Sequence, residues 1–330
     1  MTTSRAERSG TGTTTLKQQS ILVLDPIDET ALRRLGENFD VRVRLQPPEA
    51  ELRELVRDVD VLIVRSGVRI DAAVVAAATR LSLVCRAGSG TDNLDLVALA
   101  AAGVRVFNVP GGSSAAVAEL ALGLTFAVAR KIALADRQLR EGIWDKPRLA
   151  GRELGGSVLG VVGYGAIGTR VAALGRALSM RVLVTSRRDD DEHRRQVTAS
   201  GAEPVDLKAL LTSSDVVCLA VPLTDTTRGM VGAGELALMK DSSFLINVAR
   251  AGVVDEDALL AALRDRTIAG AGLDVMSNER TRSPFADLDN VVLTPHIGAM
   301  SLDAQRRIGE IVVDSIHTAL SGGDIANVVC

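Results

Sequence analysis

Between Val158 and Thr185 the chain reads VLGVVGYGAIGTRVAALGRALSMRVLVT, and few folds accommodate such a stretch. A short apolar run is followed by GxGxxG (Gly163, Gly165, Gly168), then a helix-period segment over 169–178, then a second apolar, β-branched run over 181–185. Each glycine has a separate task in a strand–turn–helix unit. Gly163 permits the tight turn, Gly165 lets the backbone approach a pyrophosphate, and Gly168 lets the helix pack on the strand. Ala166 and Ile167 open that helix, whose free N–H groups and positive dipole end suit phosphates.

The same alternation extends along the rest of the chain. Apolar runs at 21–24, 61–65, 81–85 and 104–107 occupy the first third. Further runs follow at 158–162, 181–185, 216–221, 243–248, 268–273 and 291–294. Continuous apolar runs suit strands buried on both faces of a parallel sheet. Strands alternating with helices indicate α/β units with right-handed crossovers. With 330 residues the chain exceeds what one core serves, so two doubly wound parallel-sheet domains are expected. These are a Rossmann cofactor domain over 114–299 and a flavodoxin-like domain from 20–113 joined by 300–330. One long apolar helix is expected over 115–141, with Ser113 or Ser114 as its cap, after the hinge-like cluster 110–114. Residues 1–19, rich in Thr, Ser, Gly and Gln, are expected to form a disordered tail.

Composition excludes several function classes. Lys and Arg number 38 against 41 acids, a net charge of −3, and aromatics make up 2%. Such a chain lacks the field to grip polyanions and the stacking platforms for single-stranded nucleic acid, so neither nucleic acid nor a membrane is an expected partner. Three widely spaced cysteines (Cys85, Cys218, Cys330) fit neither a disulfide framework nor a zinc site, so no metal is expected and a reducing, cytoplasmic setting is. Of the 38 basic residues 33 are Arg, so a lone Arg carries little meaning outside a motif.

At the end of the second strand of the glycine unit, an enzyme selective for NAD places an acid on the ribose 2′-hydroxyl. Here the chain reads Thr185-Ser186-Arg187-Arg188. Hydroxyl and guanidinium groups suit a 2′-phosphate, so NADP(H) is the expected cofactor, read by Ser186, Arg187 and Arg188, with NAD(H) as the second possibility. The competing reading is a solvated loop whose arginines pair with 189–191.

Three polar residues follow late strands, where open α/β sheets bind ligands: Arg250, Glu279 and His296. The segment NVARAGVVDEDALLAAL (247–263) resembles the signature of the D-isomer-specific 2-hydroxyacid dehydrogenases. GLDV with Glu279, and LTPHIGA (293–299), are similar to that family's other catalytic blocks. RAGSGTDNLDL (86–96) resembles its substrate loop, and NVPGGSSAAVAELALGL (108–124) its hinge and long helix. The resemblance runs from about Ile21 to Val329.

This resemblance implies hydride transfer between a nicotinamide and C2 of a small 2-oxo acid. Arg250 would bind carboxylate and carbonyl, His296 would act as acid and base, and Glu279 would orient the imidazole. Main-chain N–H groups at Ser89 and Gly90, with Arg65, would meet the substrate. Asp274 is similar to the family's nicotinamide contact, while Val248, Ala249 and Gly298 would line the pocket. Relatives also pair as homodimers through the element at 115–141. After GLDV the chain reads Met276-Ser277-Asn278-Glu279-Arg280, without the aromatic and Pro-rich run of many relatives, which leaves Glu279 the weakest of the three. Two other activities stay open: an NAD-dependent 3-phosphoglycerate dehydrogenase, with Arg65 and Arg69 meeting a second anionic group, and a dinucleotide-sensing protein like the corepressors that share the fold.

Overall fold

The computed structural model describes residues 19–277 and 281–330. The chain divides into two compact units, one ending at Pro110 and resuming over Gln305–Cys330, the other Gly111–Ala304. Each is an α/β unit built on one parallel sheet.

The first unit contains β1 (Ser20–Val23), α1 (Glu29–Asn38), β2 (Asp40–Val43), α2 (Glu49–Leu55), β3 (Val61–Val64), α3 (Ala72–Ala77), β4 (Leu83–Arg86), α4 (Leu96–Ala101) and β5 (Arg105–Asn108). The strand order β2-β1-β3-β4-β5 is that of flavodoxin-like sheets. β1 and β3 are buried along their whole length, as their continuous apolar runs predict. β2 was not foreseen. Its sequence DVRV alternates charge with valine because it is an edge strand, half-exposed and paired only with β1.

The second unit starts with α5 (Ser114–Ala129) and α6 (Ile132–Arg140). It continues through β6 (Val158–Val162), α7 (Ala166–Ala177), β7 (Arg181–Thr185), α8 (Asp191–Ala199), β8 (Glu203–Pro204), α9 (Leu207–Ser213), β9 (Val216–Leu219), α10 (Ala233–Leu238), β10 (Phe244–Asn247), α11 (Glu256–Arg264), β11 (Gly270–Leu273) and β12 (Val291–Leu293). The order β12-β11-β10-β9-β6-β7-β8 reverses direction between β9 and β6, the switch point at which doubly wound sheets bind ligands. β8, two residues at the far edge, was also absent from the sequence reading.

A last helix, α12 (Leu302–Leu320), contributes Ile308, Val312, Val313 and Ile316 to the core around β1, β3 and β4. Beyond it the chain bridges β5, where Val106 N–H donates to Cys330 C=O (2.8 Å) and Val329 N–H to Val106 C=O (2.7 Å). No helix among the described residues is long and apolar enough to cross a membrane.

Helix starts follow a local rule. Asp28, Asp71, Asp95, Asp190, Asp206 and Asp255 each cap a helix by accepting backbone N–H bonds from its first turn. The single helix expected over 115–141 is instead two, and Ser113 sits at the N-cap position without a side-chain bond. The break falls at Lys131, which adopts a left-handed φ of 55°. No Gly or Pro marks it; the stop is tertiary. Arg152 N–H donates to the end carbonyl of Ala129 (2.9 Å), and Lys131 Nζ donates to Arg148 C=O (2.8 Å). Gly151 packs so closely on this corner that a Cβ would lie 2.5 Å from Ala129 O. The hydrophobicity of α5 is mostly consumed inside its unit, since Val117, Ala121, Leu124 and Val128 are buried in the core that also takes Val161 and Ile246.

Candidate active site

Because every strand of the second sheet is parallel, all residues just beyond the strand ends emerge on one edge. Gly163 follows β6, Ser186 follows β7, Ala220 follows β9, Val248–Arg250 follow β10, Asp274 follows β11 and Thr294–His296 follow β12.

The three glycines differ in what they tolerate. Gly163 has φ +97°, and an added Cβ would lie 2.6 Å from Ala220 O. A Cβ on Gly168 would lie 1.9 Å from Gly163 O, so helix and turn touch there directly. Gly165 has an ordinary φ of −86° and nothing within 4 Å of a built Cβ. Its lack of a side chain serves no contact of the protein itself, and it opens α7. A cavity of about 840 Å³ lies over this turn, lined among others by Tyr164, Gly165, Ser186, Arg187, Val221 and Thr227. Its size and the open helix start suit the dinucleotide implied by the sequence.

The loop after β7 is bonded mostly to itself. Ser186 Oγ donates to Arg188 C=O (2.7 Å) and lies 2.6 Å from His193 Nε2. With its one proton given to Arg188, the hydroxyl accepts from the imidazole, so His193 carries its proton on Nε2. Arg188 is held by two acids: Nε donates to Asp190 (2.6 Å) and Nη2 to Glu192 (3.1 Å). That guanidinium, together with the His193 N–H that Asp190 caps, lowers the Asp190 carboxyl to about 2. Arg194 takes Asp189 (2.8 Å). Arg187 is exposed and makes no ion pair or hydrogen bond among the described residues. The competing sequence reading therefore describes Arg188 but not Arg187.

At the ends of β10, β11 and β12 the turns brace one another. Asn247, 2% exposed, accepts Ala249 N–H through Oδ1 (3.0 Å) and donates through Nδ2 to Arg250 C=O (3.1 Å), fixing the backbone that presents Arg250. Asp274, equally buried, accepts Thr294 Oγ1 (2.6 Å), Ile297 N–H (2.8 Å) and Gly298 N–H (2.9 Å) on its carboxylate. The intervening His296 is half-buried and has a left-handed φ of 54°. Glu279 lies outside the described residues. Asn247, Thr294 and His193 did not emerge from the sequence as site residues; the one usable signal was a polar Asn closing an apolar strand.

The first unit positions the remaining predicted residues. Asp25, 1% exposed, accepts the backbone N–H of Arg65 (2.6 Å), and Asn93 donates to Arg65 C=O (2.7 Å), so this loop is pinned from both sides. Burial lowers the Arg65 guanidinium, with Asp25 opposing that effect. Gly67, in the same loop, sits where a Cβ would lie 2.1 Å from Asp25 Oδ1. Ser89 Oγ donates to Val109 C=O (3.3 Å), and Asn108 donates to Ser89 C=O (2.6 Å), fixing the Ser89–Gly90 turn.

Comparison with known proteins supplies the family. Residues 122–298 match the NAD-binding domain of the D-isomer-specific 2-hydroxyacid dehydrogenases. Hydroxypyruvate reductase of Thermotoga maritima is 39% identical over 90% of this chain and 97% of its own. D-3-phosphoglycerate dehydrogenase of Methanocaldococcus jannaschii is 41% identical over 94% of this chain, which spans only 59% of that longer protein. An acyclic imino acid reductase solved with NADPH and D-Arg superposes with a TM-score of 0.83 at 28% identity, covering 94% of this chain and all of that one. With the family domain matched across more than half its length and a full-length relative well above 30% identity, the chain belongs to the D-isomer-specific 2-hydroxyacid dehydrogenases.

Proposed function

We propose that the protein is an NADP(H)-preferring D-2-hydroxyacid dehydrogenase that works as a reductase of small 2-oxo acids. The observation that carries the reading is the set of turns at one sheet edge: the Arg250 backbone held by Asn247, and the His296 turn held by Asp274, on the edge that also bears Gly163 and Gly165. The near full-length likeness to a hydroxypyruvate reductase supports it. A reduced nicotinamide, when bound, would supply the hydride for C2 of the 2-oxo acid.

The chain's own residues do the rest. Arg250 binds the substrate carboxylate and the adjacent carbonyl oxygen with its planar fork, stabilising the charge that develops there. His296 gives its proton to that oxygen and recovers one from solvent; in the oxidising direction it accepts the proton. The family resemblance assigns to Glu279 the orientation of the imidazole, and to Arg65 and the main chain at Ser89 and Gly90 a hold on the substrate. Gly163, Gly165, Ala166, Ile167 and Gly168 receive the pyrophosphate, while Val248, Ala249, Asp274 and Gly298 line the nicotinamide end. Ser186 in place of an acid directly at the end of β7, and an Arg187 with no carboxylate partner among the described residues, favour a 2′-phosphate.

A second reading, 3-phosphoglycerate dehydrogenase, is favoured by the identity to the Methanocaldococcus relative. One assay separates them: kcat/KM with NADPH and NADH for a panel of 2-oxo acids that includes a phosphorylated hydroxypyruvate. The proposal expects a small unphosphorylated 2-oxo acid and NADPH to be best. Turnover of none of them returns the protein to the sensing class. His296→Ala should abolish turnover while NADPH still binds, and near-normal rates would refute its role. A homodimer through α5 and α6, with Phe126, Ile132, Leu139 and Ile143 exposed on them or just beyond, is part of the proposal and is checked by sedimentation.

A further inference from the structure

The loop that would read the ribose contains its own competitors for the phosphate. Arg188 is engaged on two sides by Asp190 and Glu192, and the turn is closed by the Ser186 hydroxyl on the Arg188 carbonyl, with His193 donating to Ser186 from below. Of the three side chains expected to meet a 2′-phosphate, Ser186 has given its one proton within the loop and Arg188 its Nε and Nη2 donors. We infer that Asp190 and Glu192 are specificity-determining residues: they latch Arg188 away from the 2′-phosphate, so that Arg187 alone discriminates NADP(H) from NAD(H), and the preference is held lower than an SRR sequence would otherwise produce.

The inference rests on the proposed NADP(H) reading and adds to it. Geometry supports the latch, because a single guanidinium spans both carboxylates, and its Nε–Nη2 edge, the side-on face of the fork with which arginine grips a phosphate, is the edge engaged. The pairs are about half exposed, so the latch is weak enough to be released by substitution without disturbing the core. Asp190 has a second duty as the N-cap of α8, accepting His193 N–H through Oδ1 (2.9 Å). Asn keeps that acceptor, which makes Asp190→Asn the suitable neutral variant.

The experiment compares the NADPH-to-NADH ratio of kcat/KM in wild type, Asp190→Asn/Glu192→Gln, Arg188→Ala, the triple combination and Arg187→Ala, using the best 2-oxo acid of the panel. The double variant should raise the ratio about fivefold, ~1.0 kcal/mol at 1.4 kcal/mol per tenfold, through NADPH alone. Most of that gain should vanish when Arg188 is also Ala. An unchanged ratio in the double variant, or a gain that persists without Arg188, overturns the latch. The underlying reading is judged separately: Arg187→Ala should lower the ratio, and a wild type that prefers NADH with Arg187→Ala indistinguishable from it overturns that reading instead.

Discussion

Asp274 and His296 are tied through the backbone on both sides of the imidazole: the His296 N–H donates to the Asp274 carbonyl (2.9 Å), and the next N–H, of Ile297, donates to the Asp274 carboxylate (2.8 Å). A non-glycine residue at φ 54° stores strain of about 1 kcal/mol or more, and this clamp holds it in place. Asp274→Asn puts an NH2 against a backbone donor and should lower kcat about 10- to 100-fold. Thr294→Val removes one bond and should cost less than tenfold. Steady-state kinetics with NADPH binding measured by fluorescence checks both; unchanged kcat in Asp274→Asn would remove the positioning role.

The three glycines of the turn should separate by experiment into two kinds. Gly163→Ala and Gly168→Ala force a Cβ into Ala220 O or Gly163 O, so each should destabilise by about 2 kcal/mol or more. Gly165→Ala meets nothing and has an ordinary φ, so the apo protein should melt like wild type. Its defect should appear only as a lost rise of Tm on adding NADPH, read by scanning fluorimetry with and without cofactor.

Thiol chemistry should distinguish the cysteines. Cys85 and Cys218 are fully buried, and burial pushes the Cys218 thiol up to about 12 and Cys85 higher still. Cys330 is partly exposed. Labelling of the native protein at mildly alkaline pH should stop at Cys330, and only denaturant should release the other two. Fast native labelling of Cys218, located by mass spectrometry, would contradict the packing of β9.

Asp215 should leave a mark on acid stability. Partial burial raises its carboxyl, but the Val158 N–H (2.8 Å) and Lys240 ammonium (2.9 Å) outweigh this, and the net shift is downward from 3.8. A carboxyl depressed in the folded state stabilises above its unfolded value and loses that contribution as pH falls through its folded one. Asp215→Asn should therefore cost about 1 kcal/mol at neutral pH and nothing measurable once wild-type Asp215 is itself protonated, in urea melts across the acid limb.

Legibility followed burial. Strands buried on both faces, such as β6 and β9, announce themselves as unbroken apolar runs, whereas β2 and β8, at the sheet edges, carry charge or Pro and look like loop. The end of α5 was invisible because the group that caps Ala129, the Arg152 N–H, lies 23 positions further on. In the site, motif order singles out Arg250 and His296 as candidates but not what holds their backbone: Asn247 and Asp274 act through backbone bonds, which no side-chain pattern encodes. Arg187 and Arg188 are adjacent and chemically identical, and only the reach of Asp190 and Glu192 separates them.

The return of the chain through α12 has a consequence for how the molecule is made. Ile308, Val312, Val313 and Ile316 complete the core around β1 and β3, so strands made before the second unit are fully covered only after it. The second unit, continuous in sequence, has all its strands once Leu293 has emerged. During synthesis the later-encoded unit is thus the first able to finish folding, while the earlier one waits with an apolar sheet face open to chaperones.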